Sequence, residues 1–350
     1  MTVSPRIIPS ATLAQSELWD EARRNGLRKP RYKKQDIDER RSKNLIPGTP
    51  LSALRQDDRV PVLLVQRSTE CSGTSDRGLH GWTLFLPAGW GMPFFSSLTF
   101  TGTRVAGQRE RAAQAFEAGS AYFPRDYPTC LSYTAHVTER ESTERARWER
   151  TPPAKRPNFE KLGTRSPWRA DWEVVLGADP DLVSTQREPG KETWEPWLLR
   201  GSGVRALLDK LIADPGVFSA ELNALRIKRH FAPLQQSSVL LASSALLRVK
   251  INPIKEGNPQ DLALIYAIPS DEGELPSEII GYVTSGNFSL SQGTGFAIGA
   301  VSLTSYLKLT TKNLPSERTK STLTKNPLFV KYRDRDGHVF RAAEIQVLDT

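Results

Sequence analysis

Apolar residues recur with two different periods along this chain of 350 residues, and the change of period separates a helical part from a strand-rich part. Helical spacing predicts helices from Ser16 onward, over residues 107–119, over 139–150 and over 204–212. Ser16 is suited to cap the first of these helices, Gly119 to end the second, and Asp214-Pro215-Gly216 to end the last.

Short apolar runs predict strands between and after these helices. Residues 61–66 have the character of a buried strand, 82–86 alternate, and 98–100 form a third short run. From residue 237 onward the pattern predicts a long strand over 237–253, further strands over 261–269 and 278–303, and a hairpin over 328–348 with a two-residue turn at Asp336-Gly337. The predicted class is α+β, with a mixed central domain and an all-β, barrel-like C-terminal domain.

Composition shifts divide the chain into four parts, and its 25 prolines and 24 glycines predict long irregular connections between elements. Residues 1–58 form a basic, partly helical segment whose first 15 residues are predicted to be disordered. Residues 59–177 form the central domain, 178–236 a linker with an amphipathic helix, and 237–350 the β-barrel domain.

The charge balance favours a polyanionic partner. With 48 Lys and Arg against 39 Asp and Glu, the net charge is +9, which suits RNA or an anionic membrane surface. Two cysteines, Cys71 and Cys130, are too few for a disulfide framework and fit a reducing compartment. The sequence has no apolar run long enough to span a membrane and begins without a secretory signal pattern, so neither a spanning helix nor a signal peptide is predicted, and a membrane is not among the predicted partners.

Motifs of known enzyme chemistry are missing from the sequence. Its histidines, at positions 80, 136, 230 and 338, have no Cys, His or carboxylate at zinc-ligand spacing. Phosphate-binding, zinc-protease and nucleophile-elbow motifs are absent, and acid pairs such as Asp57-Asp58 lie in charge-rich surface segments. We therefore predict no protein-borne active site, no metal and no cofactor.

Residues 86–111 combine aromatic side chains, glycines and arginines. Trp90 and several phenylalanines lie among glycines, and Arg104, Arg109 and Arg111 follow directly. This pattern predicts a turn-rich ledge that presents guanidinium groups to phosphates, beside a helix N-terminus that also attracts them. The alternative is a tight loop between two core strands, in which Arg104 pairs with Glu110 or Glu117 and only supports the fold.

Two further segments are rich in basic residues. Over 151–177, Lys155, Arg156, Arg165 and Arg169 alternate with Phe159, Trp168 and Trp172, which suits backbone phosphates and unstacked bases. The alternative is an extended segment whose tryptophans pack on the domain core. Near the N-terminus, Arg31, Lys33 and Lys34 belong to a basic run. Its Arg23-Arg24 and Lys33-Lys34 pairs are spaced like a bipartite nuclear import signal, or else form a solvated helix face.

The amino-acid sequences of these segments resemble those of one protein family. LPAGWGMPFF…GTRVAGQRE, over residues 86–110, closely resembles the central signature of the Pop1 family, the large protein subunit shared by ribonuclease P and ribonuclease MRP. LWDEARR…RRSKNLIPGTPL and the FPRDYP segment at 123–128 are similar to the same family, and 151–177 resembles its fungal members. Family members are usually longer and carry an additional basic N-terminal region, which we do not find here.

The resemblance implies a non-catalytic, RNA-binding scaffold in the nucleus and nucleolus. The RNA would remove the 5′ leader of precursor tRNA, and the MRP particle would process ribosomal RNA precursor. The implied partners are ribonuclease P RNA, MRP RNA and other protein subunits, with precursor tRNA contacted indirectly. The residues expected to bind RNA are Trp90, Arg104, Arg109, Arg111, Lys155, Arg156, Arg165, Trp168, Arg169, Arg31, Lys33 and Lys34.

A second resemblance gives an alternative function. Residues 278–299, EIIGYVTSGNFSLSQGTGFAIG, resemble the C-terminal barrel of the glycine-cleavage T-protein, a folate-dependent aminomethyltransferase, and the Pop1 family shares this likeness. It implies a folate-dependent methyl or aminomethyl transferase as the alternative. The T-protein's N-terminal part, which carries its folate pocket and catalytic carboxylate, has no match here. A third reading is a protein–protein scaffold that does not touch RNA.

Overall fold

The computed structural model describes residues 12, 15–46, 48–69, 79–177, 195–201, 203–269, 276–312 and 327–348. The chain divides into two compact units, Met1–Arg111 and Ala112–Thr350. The predicted disorder of residues 1–15 lies largely outside the described residues, as do residues 178–194 of the linker segment predicted over 178–236.

The first unit has short elements joined by irregular chain. They are a 3-10 turn at Glu17–Trp19, α1 at Glu21–Gly26, α2 at Lys34–Ser42, β1 at Leu63–Thr69, β2 at Leu79–Phe85 and α3 at Gly91–Thr99. The helix predicted from Ser16 is broken in two. Ser16 Oγ accepts from Leu18 N at 3.2 Å and caps the 3-10 turn, and Asp20 Oδ1 accepts from Ala22 N at 2.9 Å and caps α1.

Two strand predictions in this unit need correction. β1 and β2 pair antiparallel, with Leu63 opposite Phe85, but the strand predicted to be buried is not: Leu64 is 53% exposed. The strand predicted at residues 98–100 is wrong, because these residues end the helix α3. Pro93 lies in the first turn of α3, where its missing N–H costs no helical hydrogen bond. A three-residue apolar run does not distinguish a strand from the end of a short helix.

The second unit contains most of the helices, and α4 begins just before it. They are α4 at Gln108–Glu117, α5 at Leu131–Arg150, α6 at Trp172–Val175, α7 at Val204–Ala213, α8 at Phe218–Lys228, α9 at Ser238–Ser243 and α10 at Leu303–Lys312. The helices predicted over 107–119 and 204–212 are confirmed as α4 and α7, and the one predicted over 139–150 is the C-terminal part of α5.

A six-stranded antiparallel barrel forms the centre of the second unit. Its strands run in the order β4-β7-β6-β5-β8-β9, and β9 pairs back onto β4 to close it. A seventh strand, β3, lies parallel to the first residues of β4. The strands are β3 at Trp197–Leu199, β4 at Ala245–Pro253, β5 at Leu264–Tyr266, β6 at Ile279–Ser289, β7 at Thr294–Ser302, β8 at Leu328–Arg333 and β9 at Arg341–Val347.

The barrel confirms the predicted class, while two details of the C-terminal domain differ. The long strand predicted over 237–253 begins only at Ala245, because Ser237 caps the helix α9 before it, and α10 is a further helix in a domain predicted to be all-β. The β8–β9 hairpin is present, but its register pairs Tyr332 with Arg341, so the connection is longer than the two residues predicted.

The hydrophobic core lies inside this barrel and beneath α7. Val249, Ile251, Ile265, Val283 and Val301 are fully buried there. Leu207, Leu208 and Leu211 repeat on one face of α7 and belong to the same cluster. Fully burying a side chain of this size contributes about 1.5–3 kcal/mol, so this cluster carries much of the unit's stability.

Candidate nucleic-acid interface

Three arginines of the predicted ledge lie on the surface of the first unit. Arg104, Arg109 and Arg111 are exposed, and among the described residues their guanidinium groups make no hydrogen bond or ion pair. Arg109 and Arg111 belong to the first turn of α4, where Arg111 N donates to Gly107 O at 3.1 Å. Their charge is therefore uncompensated within this part of the chain and available to an anion from outside.

The alternative in which Arg104 pairs with Glu110 or Glu117 is not what the structure shows. Glu117, in the second unit, instead accepts hydrogen bonds from the β6–β7 turn. Ser289 Oγ donates at 2.6 Å, Ser291 Oγ at 2.5 Å and Leu290 N at 3.1 Å. Burial alone would raise the pKa of Glu117, but the hydrogen bonds from both serines and the turn backbone outweigh it and lower the pKa.

Trp90 lies inside the first unit. Its side chain is 9% exposed, and its indole Nε1 donates to Leu27 O at 2.7 Å. Gly89 beside it has φ +93°, and a Cβ there would lie 2.9 Å from Arg28 O. The two residues thus hold residues 86–90 against residues 27–28, and the indole offers no free face for a base. The RNA contact predicted for Trp90 does not enter our proposal.

The basic segment over 151–177 contains two kinds of cation. Lys155, Arg165 and Arg169 are exposed, and their side chains make no hydrogen bond or ion pair with any described residue. Arg156 is half-buried: its Nε donates to Thr151 O at 2.6 Å and its Nη2 to Glu149 O. Arg156 thereby satisfies carbonyls at the C-terminus of α5, and this assigns it to the fold instead of the surface.

Trp168 belongs to an aromatic cluster. Its ring meets Phe159 edge-on at 5.2 Å and Trp148 at 6.0 Å between centroids. The guanidinium carbons of Arg145 and Arg335 lie 6.0 and 5.8 Å from the Trp168 centroid. These contacts agree with the alternative that the tryptophans of this segment pack on the domain, so we do not retain base stacking on Trp168.

The N-terminal basic run is likewise divided. Arg31 Nη1 donates to Gln56 O at 2.6 Å and its backbone N donates to Asp58 at 2.7 Å, so this arginine holds two segments of the unit together. Lys33 and Lys34 lie at the start of α2. Both are exposed, and their ammonium groups have no partner within the described ranges. Of the three residues of this run that were predicted to bind RNA, the two lysines therefore remain available.

The FPRDYP segment contains an anchor that sequence reasoning missed. Asp126 is 1% exposed, and its Oδ1 accepts from Thr284 Oγ1 at 2.5 Å and Ser285 Oγ at 2.8 Å. A β-bulge between Val283 and Ser285 lets these two successive hydroxyls reach one carboxylate. Asp126 Oδ2 accepts from Tyr122 N at 2.9 Å. The carboxylate therefore fastens residues 122–126 to the barrel wall.

A buried arginine completes this anchor. Arg248 on β4 is 1% exposed, donates from Nη2 to Asp126 O at 2.9 Å, and lies 4.3 Å from the Tyr127 ring centroid. Burial lowers the pKa of Arg248, while the nearby Tyr127 and Asp126 favour its charged form. The signal in the sequence was an arginine in the middle of the apolar run SALLRVKI, which is unusual for a core strand.

The described residues show neither a metal centre nor a membrane span. No three His, Cys, Asp or Glu side chains come together there in a group able to hold a metal ion. None of the helices within those ranges is long and apolar enough to cross a bilayer.

Two stretches of the chain match models of known protein domains. Residues 81–172 match the POPLD (NUC188) domain, and residues 274–349 match the POP1 C-terminal domain. The two matches are joined in the structure, because Asp126 from the first bonds to Thr284 and Ser285 from the second. The first match also crosses the boundary between the two compact units at Arg111 and Ala112.

Similar proteins carry one name. A human protein named "Ribonucleases P/MRP protein subunit POP1" is 31% identical over 175 residues, which are 50% of this chain and 17% of the relative. The Schizosaccharomyces pombe protein of that name is 24% identical over 250 residues, 63% of this chain and 28% of the relative. The Saccharomyces cerevisiae protein of that name is 23% identical over 315 residues, which are 70% of this chain and 35% of the relative. The matched chain thus spans about a third or less of these relatives.

Proposed function

We propose that this chain, which belongs to the Pop1 family, is a protein subunit of ribonuclease P and ribonuclease MRP. We propose further that it holds the RNA of these particles. In this role it supports removal of the 5′ leader from precursor tRNA and the processing of ribosomal RNA precursor. Its partners are the ribonuclease P and MRP RNAs and the other protein subunits, and it meets precursor tRNA only through the particle.

The observation that carries this proposal is the set of exposed cations without internal partners. Among the residues predicted to bind RNA, they are Arg104, Arg109, Arg111, Lys33 and Lys34 in the first unit and Lys155, Arg165 and Arg169 in the second unit. Guanidinium groups bind phosphate oxygens in a bidentate way, and each neutralised phosphate releases counterions. Because the two candidate tryptophans are engaged within the fold, we propose that the chain recognises RNA through its backbone and shape, with little reading of base sequence.

Removing single charges tests this proposal. Arg104→Gln and Arg109→Gln should each weaken binding to a transcript of the ribonuclease P RNA. The slope of log affinity against log salt concentration should fall by about 0.7–0.9 for every phosphate that the variant no longer neutralises. Both side chains are exposed, so the melting temperature should not change. The matched control is Arg229→Gln, an exposed arginine outside the proposed interface. An unchanged slope in both variants would refute the assignment.

We also propose that the RNA is the catalyst and that this chain has no nuclease activity of its own. Support comes from the sequence, which lacks a recognisable metal or acid–base motif. Purified protein free of RNA should leave precursor tRNA intact, whereas the assembled particle should cut at the mature 5′ end. Cleavage at that position by RNA-free protein, abolished by mutation of one of its carboxylates, would contradict the proposal.

A further inference from the structure

A cavity of about 170 Å³ lies in the second unit, between α10 and the residues that follow β5 and precede β6. Ala267 N donates to Glu278 O at 3.2 Å and so joins these two segments beside the cavity. The apolar part of the lining includes Ile280 and Leu309, which are 1% and 9% exposed and belong to the core of the barrel. A cavity of about 150 Å³ is large enough to hold benzene. The space therefore suits a single six-membered ring.

One buried hydroxyl of this cavity lacks a partner. Ser305 is 8% exposed, lines the cavity, and makes no side-chain hydrogen bond with any of the described residues. A hydroxyl in a helix can bond to the carbonyl four residues back, as Thr310 Oγ1 does when it donates to Tyr306 O at 2.9 Å. A buried hydroxyl that stays unbonded costs free energy, which a ligand can recover by bonding to it. Ser305 is thus a donor and acceptor held ready for a ligand.

Two lysines lie on the same side of α10 as this serine. Lys308 and Lys312 are three and seven residues beyond Ser305, and both line the cavity. They are exposed, and within the described ranges their ammonium groups have neither an ion pair nor a hydrogen bond. Glu278, on the β6 side of the cavity, is exposed and likewise has no ion pair there. The cavity thus combines cations for phosphate with a carboxylate that can only accept hydrogen bonds.

From this arrangement we propose that the cavity binds one unpaired cytosine of an RNA strand. The pyrimidine ring fills the apolar part, its exocyclic amine donates to Glu278, and Ser305 bonds to the edge of the base. Lys308 and Lys312 bind the phosphates on either side. Uracil has a carbonyl oxygen where cytosine has the amine, so it meets the carboxylate without a donor. This inference rests on the RNA-holding role proposed above and adds one position at which a base is read.

Binding of short RNAs to the full chain tests the site. Oligocytidylate and oligouridylate of equal length carry the same backbone charge, so a difference between their affinities reports the base. We expect oligocytidylate to bind at least about tenfold more tightly, as measured by fluorescence anisotropy. Equal affinities would overturn the proposal. Free cytidine monophosphate that competes as well as the oligonucleotide would also overturn it, because the ligand would then be a nucleotide and not an RNA strand.

Removing the hydroxyl tests the part played by the helix. Ser305→Ala should lower the affinity for oligocytidylate about fivefold, because one hydrogen bond to the base is lost. Its melting temperature should not fall, since the hydroxyl has no partner within the described chain and alanine is the better helix former. A lower melting temperature would show that Ser305 serves the fold, and an unchanged affinity would show that it does not touch the base. Either result would contradict the assignment.

The lysines are tested as a pair. Lys308→Gln with Lys312→Gln should weaken binding of oligocytidylate and lower the salt slope by roughly 0.7 for each phosphate that is no longer neutralised. The matched control is Lys228→Gln with Lys255→Gln, which removes the same charge from exposed positions that do not line the cavity. Equal losses in both double variants would mean that only the net charge matters, and the site assignment would be wrong.

Failure of this site is distinguishable from failure of the proposed function. Binding to a transcript of the ribonuclease P RNA, and its response to Arg104→Gln, is measured with the same protein. Normal binding of the transcript without a preference for oligocytidylate would overturn the cavity site alone. A preference for oligocytidylate without binding of the transcript would support the cytosine site and refute the role in ribonuclease P.

Discussion

Asp126 and Glu117 show how single carboxylates hold helical segments to the barrel. Asp126 accepts hydrogen bonds from two hydroxyls of β6 and also lies 3.6 Å from Arg125 Nε, whereas Glu117 accepts hydrogen bonds from hydroxyl and backbone N–H groups of the end of β6 and the β6–β7 turn. A hydrogen bond to a charged group is worth more than one between neutral groups, and a carboxylate can accept several at once. Serines and threonines in a strand-turn-strand segment can thus donate hydrogen bonds to a carboxylate that is distant in sequence.

Replacing Glu117 with Ala should lower the free energy of unfolding at pH 7 by about 2 kcal/mol, because four donors lose a charged acceptor. The pKa of Glu117 is lowered from 4.5 in the folded state. Its contribution is therefore fully present above pH 4.5 and is lost as the pH falls through its folded value.

Denaturant titrations of wild type and variant at pH 7 and pH 3 measure this difference. It should shrink at pH 3, where Glu117 is largely protonated in the unfolded chain. The control is Glu110→Ala, which removes an exposed acid from the same helix and should change the free energy of unfolding by less than about 0.5 kcal/mol. A difference that is equal at both pH values would contradict the ionic contribution of Glu117.

At the scale of elements, the sequence predicts amphipathic helices well and short apolar runs poorly. The four apolar residues of α7 that face the core are spaced as a helix requires, so its bounds could be predicted almost to the residue. Residues 98–100 and 238–243 are too short to show a helical period of apolar residues. Both segments were predicted as strand but are helical in the structure. Closure of the barrel depends on pairing of β4 with β9, far apart in sequence, and no local pattern contains that information.

The candidate site could likewise be predicted only in part, because contacts between distant segments decide which cations are available. Composition identifies which cations the chain has, and the exposed Arg104, Arg109 and Arg111 agree with the prediction that they are presented at the surface. Which cations are already engaged depends on contacts between distant segments, such as Arg31 with Gln56. Residue spacing does not reveal such contacts, and so Arg156 and Trp168 looked equivalent to the free residues around them.

The basic run before α2 leads to a prediction at the same scale. We propose that Arg23-Arg24 and Lys33-Lys34 act as a nuclear import signal and that the protein resides in the nucleus and nucleolus. Changing the four residues to Ala in a fluorescently tagged protein should shift it toward the cytoplasm, with Arg229→Ala as the control. Nuclear fluorescence equal to wild type would assign import to another segment or to a partner.

At the scale of the whole molecule, the domains matched by sequence do not coincide with the two compact units of the structure. The stretch 81–172 is divided at residue 111, and its second part is bonded to the barrel by Asp126, Glu117 and Glu144, which pairs with Arg335. A fragment cut at the edges of the sequence match would separate these partners.

We therefore expect a fragment of residues 105–350 to unfold in one cooperative thermal transition. It keeps α4 whole and contains the hydrophobic core with both carboxylate anchors. A shorter fragment, 237–350, lacks α7 and Asp126, so it leaves barrel residues uncovered and removes Asp126 O, to which Arg248 donates. The short fragment should therefore melt at a lower temperature or without cooperativity. Scanning calorimetry of both fragments decides the matter, and equal stability would show that the helices add nothing to the barrel.

The long sequence separation of the anchors has a consequence for synthesis of the chain. Glu117 is 172 residues ahead of Ser289, the hydroxyl that it binds. Ribosomes add about 5–20 residues per second, so roughly 10–30 s pass between synthesis of α4 and synthesis of its partner Ser289. During that interval Phe116, which stacks on Phe296 at 4.2 Å in the finished protein, has no partner ring. The nascent chain is thus most vulnerable to aggregation just before the barrel is translated, and slower translation after residue 130 would lengthen its dependence on chaperones.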